Sequence, residues 1–223
     1  MTAGHTRFKL LVTGFSSFPG MPKNPTEHFV RRLQHTNPRF SNAEVTYSVL
    51  PVSWRRTSEN LDRLFEAVNP DAVVHFGVAG KAQALRIETR ARNRTTRRVP
   101  DADGQFPLHR ELARSDPRFR RVTLSPRRLC ERARASGCRT QLSSDAGSYL
   151  CNAVLWHSLA LGMPAVFIHW PMPQTRRPRL ARRNQRRTAP SAEQLDKASR
   201  AILSYVVRWG VPRPQHQDSS AGL

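Results

Sequence analysis

Short apolar runs alternate along this 223-residue chain with stretches whose apolar positions recur every three or four residues. That is the pattern of an α/β domain built on a largely parallel sheet. FKLLVTGF reads as a buried strand that stops at Gly14, and NPTEHFVRRLQ as the helix after it, with Thr26 as N-cap just after Pro25. AEVTYSVLPV predicts the second strand. SWRRTSENLDRLFEAVN predicts the second helix, with Trp54, Leu61, Leu64, Phe65 and Val68 near one face. DAVVHFGVAG is a strand ending in glycines. In ALRIETRARN, Leu85, Ile87 and Thr89 alternate with Arg86, Glu88 and Arg90, which predicts one strand with its charged positions outward.

Regularity fades over RVPDADGQFPLHRELARSDPRFR, where prolines and Asp103-Gly104 predict a loop. SPRRLCERARASG fits a helix with Ser125 as N-cap, Pro126 in its first position and Gly137 as its stop. A short strand, CRTQLSS, leads into a helix from about Tyr149 to Leu161, and MPAVFIHWP is a strand stopped by Pro171. RRPRLARRNQRR carries no apolar stripe and predicts an exposed basic loop at about 176–188. The last helix opens with Ser191 three residues before Gln194, a capping-box spacing, and the tail 212–223 is expected to be disordered.

The length fits a single domain better than two. Three cysteines make an odd, sparse set that argues against a disulfide framework and for a reducing compartment, the cytoplasm. Leu10–Val12 is too short for a signal-peptide core, and no apolar run approaches the length of a membrane span. The formal charge of +21 rests on 37 basic residues, of which four are lysine. Such a surface binds nucleic acid non-specifically at low salt whatever the protein does. Few aromatics stand near the basic runs, so a single-strand stacking platform is not supported, and no zinc-finger spacing is present.

Chemistry concentrates in SDAGSYLCNAVLWHSL, where Cys151 falls as a loop turns into a helix. A thiol there feels the positive end of the helix dipole and unpaired backbone N–H groups, which favour a thiolate and could hold an oxyanion. A buried packing thiol fits the same position. A nucleophilic cysteine needs a base and a group that orients the base. His169 ends a buried strand, where α/β sheets present functional groups, and Glu88 supplies an acid, although it could equally pair with its arginine neighbours.

The chain resembles the pyroglutamyl peptidase I, or pyrrolidone-carboxylate peptidase, family of cysteine peptidases. The resemblance is carried by LLVTGFSSFPGMPKNPTE, LPVSW, VVHFGVAGKAQALRIETRARN, RVPDADG, SDAGSYLCNAVLWHSL and VFIHWPMPQ, in the family's order and over nearly the whole chain. It implies a three-layer α/β/α sandwich around a mostly parallel twisted sheet, a single catalytic domain over residues 1–211, and removal of N-terminal pyroglutamate from peptides without metal or cofactor. By the same resemblance Cys151 is the nucleophile, His169 the general base and Glu88 its orienting acid. Phe15 and Phe18 match the aromatic pair around the lactam ring, and a homo-oligomer is implied as plausible.

The chain departs from the family after its third strand, where Val78 stands in place of a glutamine close to the substrate pocket. Loss of a polar contact there could weaken acyl selectivity by about 1–3 kcal/mol. Two other readings therefore stay open: a related cysteine amidase or peptidase of altered acyl specificity, and a catalytically inactive, arginine-rich polyanion binder on the same scaffold. The basic 176–187 segment, soon after His169, could favour acidic peptides electrostatically.

Overall fold

The computed structural model describes residues 7–173 and 189–209. The expected basic loop at 176–188 and tail at 212–223 lie outside the described residues. In chain order the elements are β1 (Phe8–Phe15), α1 (Pro25–Thr36), β2 (Ala43–Leu50), α2 (Trp54–Val68), β3 (Ala72–Val78), β4 (Leu85–Glu88) and β5 (Arg90–Arg92). They continue with β6 (Phe119–Arg121), α3 (Pro126–Ala135), β7 (Thr140–Ser143), α4 (Leu150–Ala160), β8 (Ala165–Trp170) and α5 (Ala192–Trp209).

Six strands form one sheet in the order β2-β1-β3-β8-β4-β7, and β5 pairs with β6 in a small second sheet. Every pairing in the large sheet is parallel except β4 with β8, so β4 and β7 run against the other four. Because strand side chains alternate between faces, the sheet carries two apolar layers. Leu10, Val12, Val74, Phe76 and Ile168 pack with Phe29 and Leu33 of α1, Leu129 of α3, and Leu195 and Ile202 of α5. On the other face Leu11, Phe15, Val73 and Phe167 pack with Leu61 of α2 and Leu150, Val154 and Leu155 of α4. The result is a three-layer α/β/α domain: the alternating pattern predicts its mostly parallel sheet, and the family resemblance implies its three layers.

Local chemistry explains most boundaries. Asn24, rather than Thr26, is the N-cap of α1: its Oδ1 accepts from the Thr26 N–H at 3.0 Å and from the Thr26 hydroxyl at 2.8 Å, while Pro25 takes the first helical position. The Ser191–Gln194 capping box forms in both directions, with N–H to side-chain distances of 3.0 and 3.2 Å. Residues 85–92 are not one strand. After Glu88 the chain leaves the large sheet and pairs antiparallel with β6, a strand that begins at the end of the stretch its prolines mark as loop.

Helix α4 is buried almost all round, with Leu150, Asn152, Val154, Leu155, Trp156, Ser158 and Leu159 all inside. A polar pin fixes it to the sheet. His75 of β3 lies 2.7 Å from Thr13 Oγ1 through Nδ1 and 2.9 Å from Ser158 Oγ through Nε2. Ser158 donates its hydroxyl hydrogen to Val154 O, so His75 Nε2–H is the donor to Ser158 and Nδ1 accepts from Thr13. Burial, with a smaller contribution from His157, lowers the His75 pKa to about 3 and keeps this imidazole neutral. Among the described residues no helix is long and apolar enough to cross a membrane.

Candidate active site

Cys151 is the second residue of α4. Its N-cap, Tyr149, is extended and contributes no side-chain cap, and the first helical bond runs from the Ala153 N–H to Tyr149 O at 3.1 Å. The amides of Leu150, Cys151 and Asn152 thus precede the helical ladder at the positive end of the helix. Asn152, fully buried, makes Arg92 and its neighbours part of this turn. Its Oδ1 accepts from the Arg92 N–H at 2.8 Å, and its Nδ2 donates to Arg92 O at 2.7 Å and Arg94 O at 3.1 Å.

Beneath the thiol lies Gly77 of β3, in register with His169 of β8. A Cβ at Gly77 would sit 2.6 Å from Phe167 Cζ and 3.1 Å from Cys151 Sγ. The missing side chain lets the cysteine settle on the sheet. His169 pairs in register with Arg86, so Glu88, two residues along on the same face of β4, reaches diagonally to His169 Nδ1 at 2.8 Å. The antiparallel β4–β8 pairing is what turns Glu88 into the site. Its side chain is fully buried, not outward as the alternation with arginines predicts.

With Nδ1 on Glu88, the ring's Nε2 is the nitrogen left for the hydrogen bond to Cys151. Burial pushes the imidazole pKa down, but the Cys151 hydrogen bond and charge and the Glu88 carboxylate outweigh it and raise it to about 9. The Phe167 ring, with its centroid 4.5 Å from that of His169, walls the pair from one side. Thiol, imidazole and carboxylate are therefore in contact in that order.

Phe15 closes β1 on the same face of the sheet as Cys151, with its ring 6.4 Å from Phe167, and half-buried Phe18 packs against the same layer. Their loop is held from below by α1. Glu27 Oε2 accepts from the Ser17 N–H at 2.6 Å and the Ser17 hydroxyl at 2.7 Å, and Asn24 Nδ2 donates to Ser16 O at 3.2 Å. Val78 ends β3, in register with Trp170. Strand alternation puts its side chain with Phe76 on the α1 and α5 face, away from the Cys151 face. The other cysteines sit in the α3 side of the core, where burial raises both thiols, Cys138 to about 11. No group of three or more His, Cys, Asp or Glu among the described residues is arranged to hold a metal ion.

Three contributors escape a sequence reading: Asn152, Gly77 and Phe167. A polar residue directly after the cysteine, in an otherwise apolar helix, was the available signal for the first. The close approaches around Gly77 and Phe167 exist only once β3, β8 and α4 are stacked.

A cysteine at a helix N-terminus, hydrogen-bonded to a histidine that a buried carboxylate orients, on a three-layer α/β/α frame, has the parts of a cysteine hydrolase. The family model described as pyroglutamyl peptidase matches residues 8–183, and the chain belongs to this family. The pyrrolidone-carboxylate peptidase of Thermococcus litoralis is 35% identical over 169 residues, covering 73% of this chain and 76% of that protein. That of Pyrococcus furiosus is 33% identical over the same length, covering 73% and 80%. Among solved structures, a mutant pyrrolidone carboxyl peptidase from Pyrococcus furiosus superposes with a TM-score of 0.79 at 27% identity, over 92% of this chain and 100% of that one.

Proposed function

We propose that this chain is a cysteine exopeptidase that hydrolyses the N-terminal pyroglutamyl residue from peptides through a thioester. The observation that carries the reading is the Glu88–His169–Cys151 chain of contacts on this family's fold. His169 Nε2 takes the Cys151 proton, and the thiolate attacks the pyroglutamyl carbonyl carbon. The amides of the first α4 turn receive the charge that develops on the carbonyl oxygen. The imidazolium, still facing the Glu88 carboxylate, then gives its proton to the departing amine. A water deprotonated by the same ring attacks the thioester, releasing pyroglutamate and restoring the thiol.

Glu88 holds the ring in the tautomer that faces Nε2 to the thiol and balances the imidazolium charge. Phe15 and Phe18 offer apolar faces to the flat lactam ring. The free, buried Cys130 and Cys138 suit work in the reducing cytoplasm.

The test is release of a fluorescent amine from pyroglutamyl, prolyl and alanyl amides under reductant, by wild type and Cys151→Ala. The reading expects turnover of the pyroglutamyl amide alone, abolished by the substitution. Faster turnover of another acyl group would assign a different specificity. No turnover of any amide by folded wild type would overturn the peptidase reading.

A further inference from the structure

The residues on either side of the Cys151 turn both grip one segment of chain, and that segment is rich in arginine. Asn152 holds the backbone carbonyls of Arg92 and Arg94, and the Tyr149 hydroxyl donates to Pro100 O at 3.1 Å. Farther along, Asp101 is tied to α2 through the Trp54 N–H at 2.8 Å, and the Ala102 N–H donates to Val52 O at 2.9 Å. Residues 92–100 are thereby moored at both ends to the N-terminal turn that carries the nucleophile.

Between those moorings lie Arg94, Arg97 and Arg98, all exposed. A cavity of about 210 Å³ is lined by Arg92, Arg94 and Arg98 together with Asp145, Gly147 and Ser148, the residues leading into α4. A second, of about 600 Å³, adjoins it through Arg94 and Arg98 and adds Arg97, Arg110 and one acid, Glu111, to its wall. Asp145 is the acid of the smaller cavity, and it sits 3.4 Å from Arg92. The guanidinium groups of Arg94, Arg97 and Arg98 form no ion pair with any described residue. Cationic forks clustered in a concave surface without protein partners are matched by carboxylates.

We infer that the groove under residues 92–98 is a subsite for an acidic side chain on the departing part of the substrate, Asp or Glu one or two residues after the pyroglutamyl group. This rests on the proposed activity. The lactam side of the scissile bond is assigned to Phe15 and Phe18, so the departing peptide leaves from the oxyanion amides across the lip that residues 147–149 and 92–98 share. Since these arginines face water, the attraction is screened, and a preference on the order of tenfold is expected at low salt, shrinking as ionic strength rises.

The experiment compares kcat/KM for pyroglutamyl-Glu, pyroglutamyl-Ala and pyroglutamyl-Lys peptides in wild type and in the double variant Arg94→Glu/Arg98→Glu, at low and physiological salt. The acidic-to-neutral ratio should be about ten in wild type, fall below one in the double variant, and move toward one with salt in both. A ratio that the double variant leaves unchanged overturns the subsite. Turnover of none of the three peptides by wild type would instead sink the peptidase reading itself. Binding of the same peptides to Cys151→Ala by titration calorimetry keeps the two failures apart: affinity that does not depend on Arg94 and Arg98 overturns the subsite irrespective of turnover.

Discussion

Replacing Glu88 by glutamine removes one negative charge from a buried contact and keeps its shape. His169 is held at about 9 against burial by Cys151 and Glu88, whereas a free imidazole titrates near 6.5. Where Cys151 is the thiolate, the proton on His169 is the one that the unfolded chain still keeps on its thiol, so the pair takes up no net proton on folding and the Glu88 share of the shift shows in catalysis rather than in stability. Glu88→Gln should lower the His169 value and move the alkaline limb of the kcat/KM profile to lower pH. It should also slow catalysis, because a glutamine can turn its amide N–H to Nδ1 and so leave the proton on Nε2, facing the thiol it must deprotonate. For an orienting carboxylate replaced by its amide, a loss of kcat on the order of a thousandfold or more is expected. The pH profile of kcat/KM, with kcat at its plateau, reads both effects. An alkaline limb at the wild-type position together with a kcat within tenfold of wild type would refute the role given to Glu88.

Other perturbations separate the frame from the chemistry. His75 titrates near 3 when folded and near 6.5 when unfolded, so stability is lost as pH falls from 6.5 toward 3, by up to about 5 kcal/mol. His75→Gln should flatten that acid limb in chemical unfolding, and an unaltered limb would show that another group governs it. Gly77→Ala must push the Phe167 ring and the Cys151 thiol aside; it should cost ~1–3 kcal/mol of stability and more than tenfold in kcat, and wild-type kinetics would contradict the close packing described. Asn152→Ala removes three hydrogen bonds to Arg92 and Arg94 and should destabilise by about 2–4 kcal/mol, with faster amide exchange over residues 92–95. Protection unchanged there would mean that the segment is held by other contacts.

The elements with the plainest patterns were legible from sequence: the continuous apolar runs of β1, β3 and β8, the amphipathic α2, and α5 with its reciprocal Ser191–Gln194 cap. Cys151, His169 and Glu88, which the fold brings into contact, also stand out in the sequence, but for different reasons at each. Cys151 and His169 stand at element ends, where chemistry is exposed by the architecture. Glu88 looked like one more charged position on an outward face, because its inward turn follows from pairing β4 antiparallel to β8, a tertiary choice no local pattern encodes. For the same reason β5 and β6 were hidden. Arg90–Arg92 continues the alternation of β4, and only the departure of the chain after Glu88 to meet Phe119–Arg121 divides the run. Val78 attracts attention as a departure in composition, yet strand parity puts its side chain across the sheet from the thiol.

The most direct test of the account is affinity labelling with a pyroglutamyl chloromethyl ketone, followed by peptide mapping. One equivalent should attach to Cys151, with Cys130 and Cys138 untouched. Hydrolysis of pyroglutamyl amides should disappear in step, and a pyroglutamyl peptide in excess should slow both. Labelling of another residue, or full activity after Cys151 has been alkylated, would contradict the assignment of Cys151 as the group that carries the acyl intermediate.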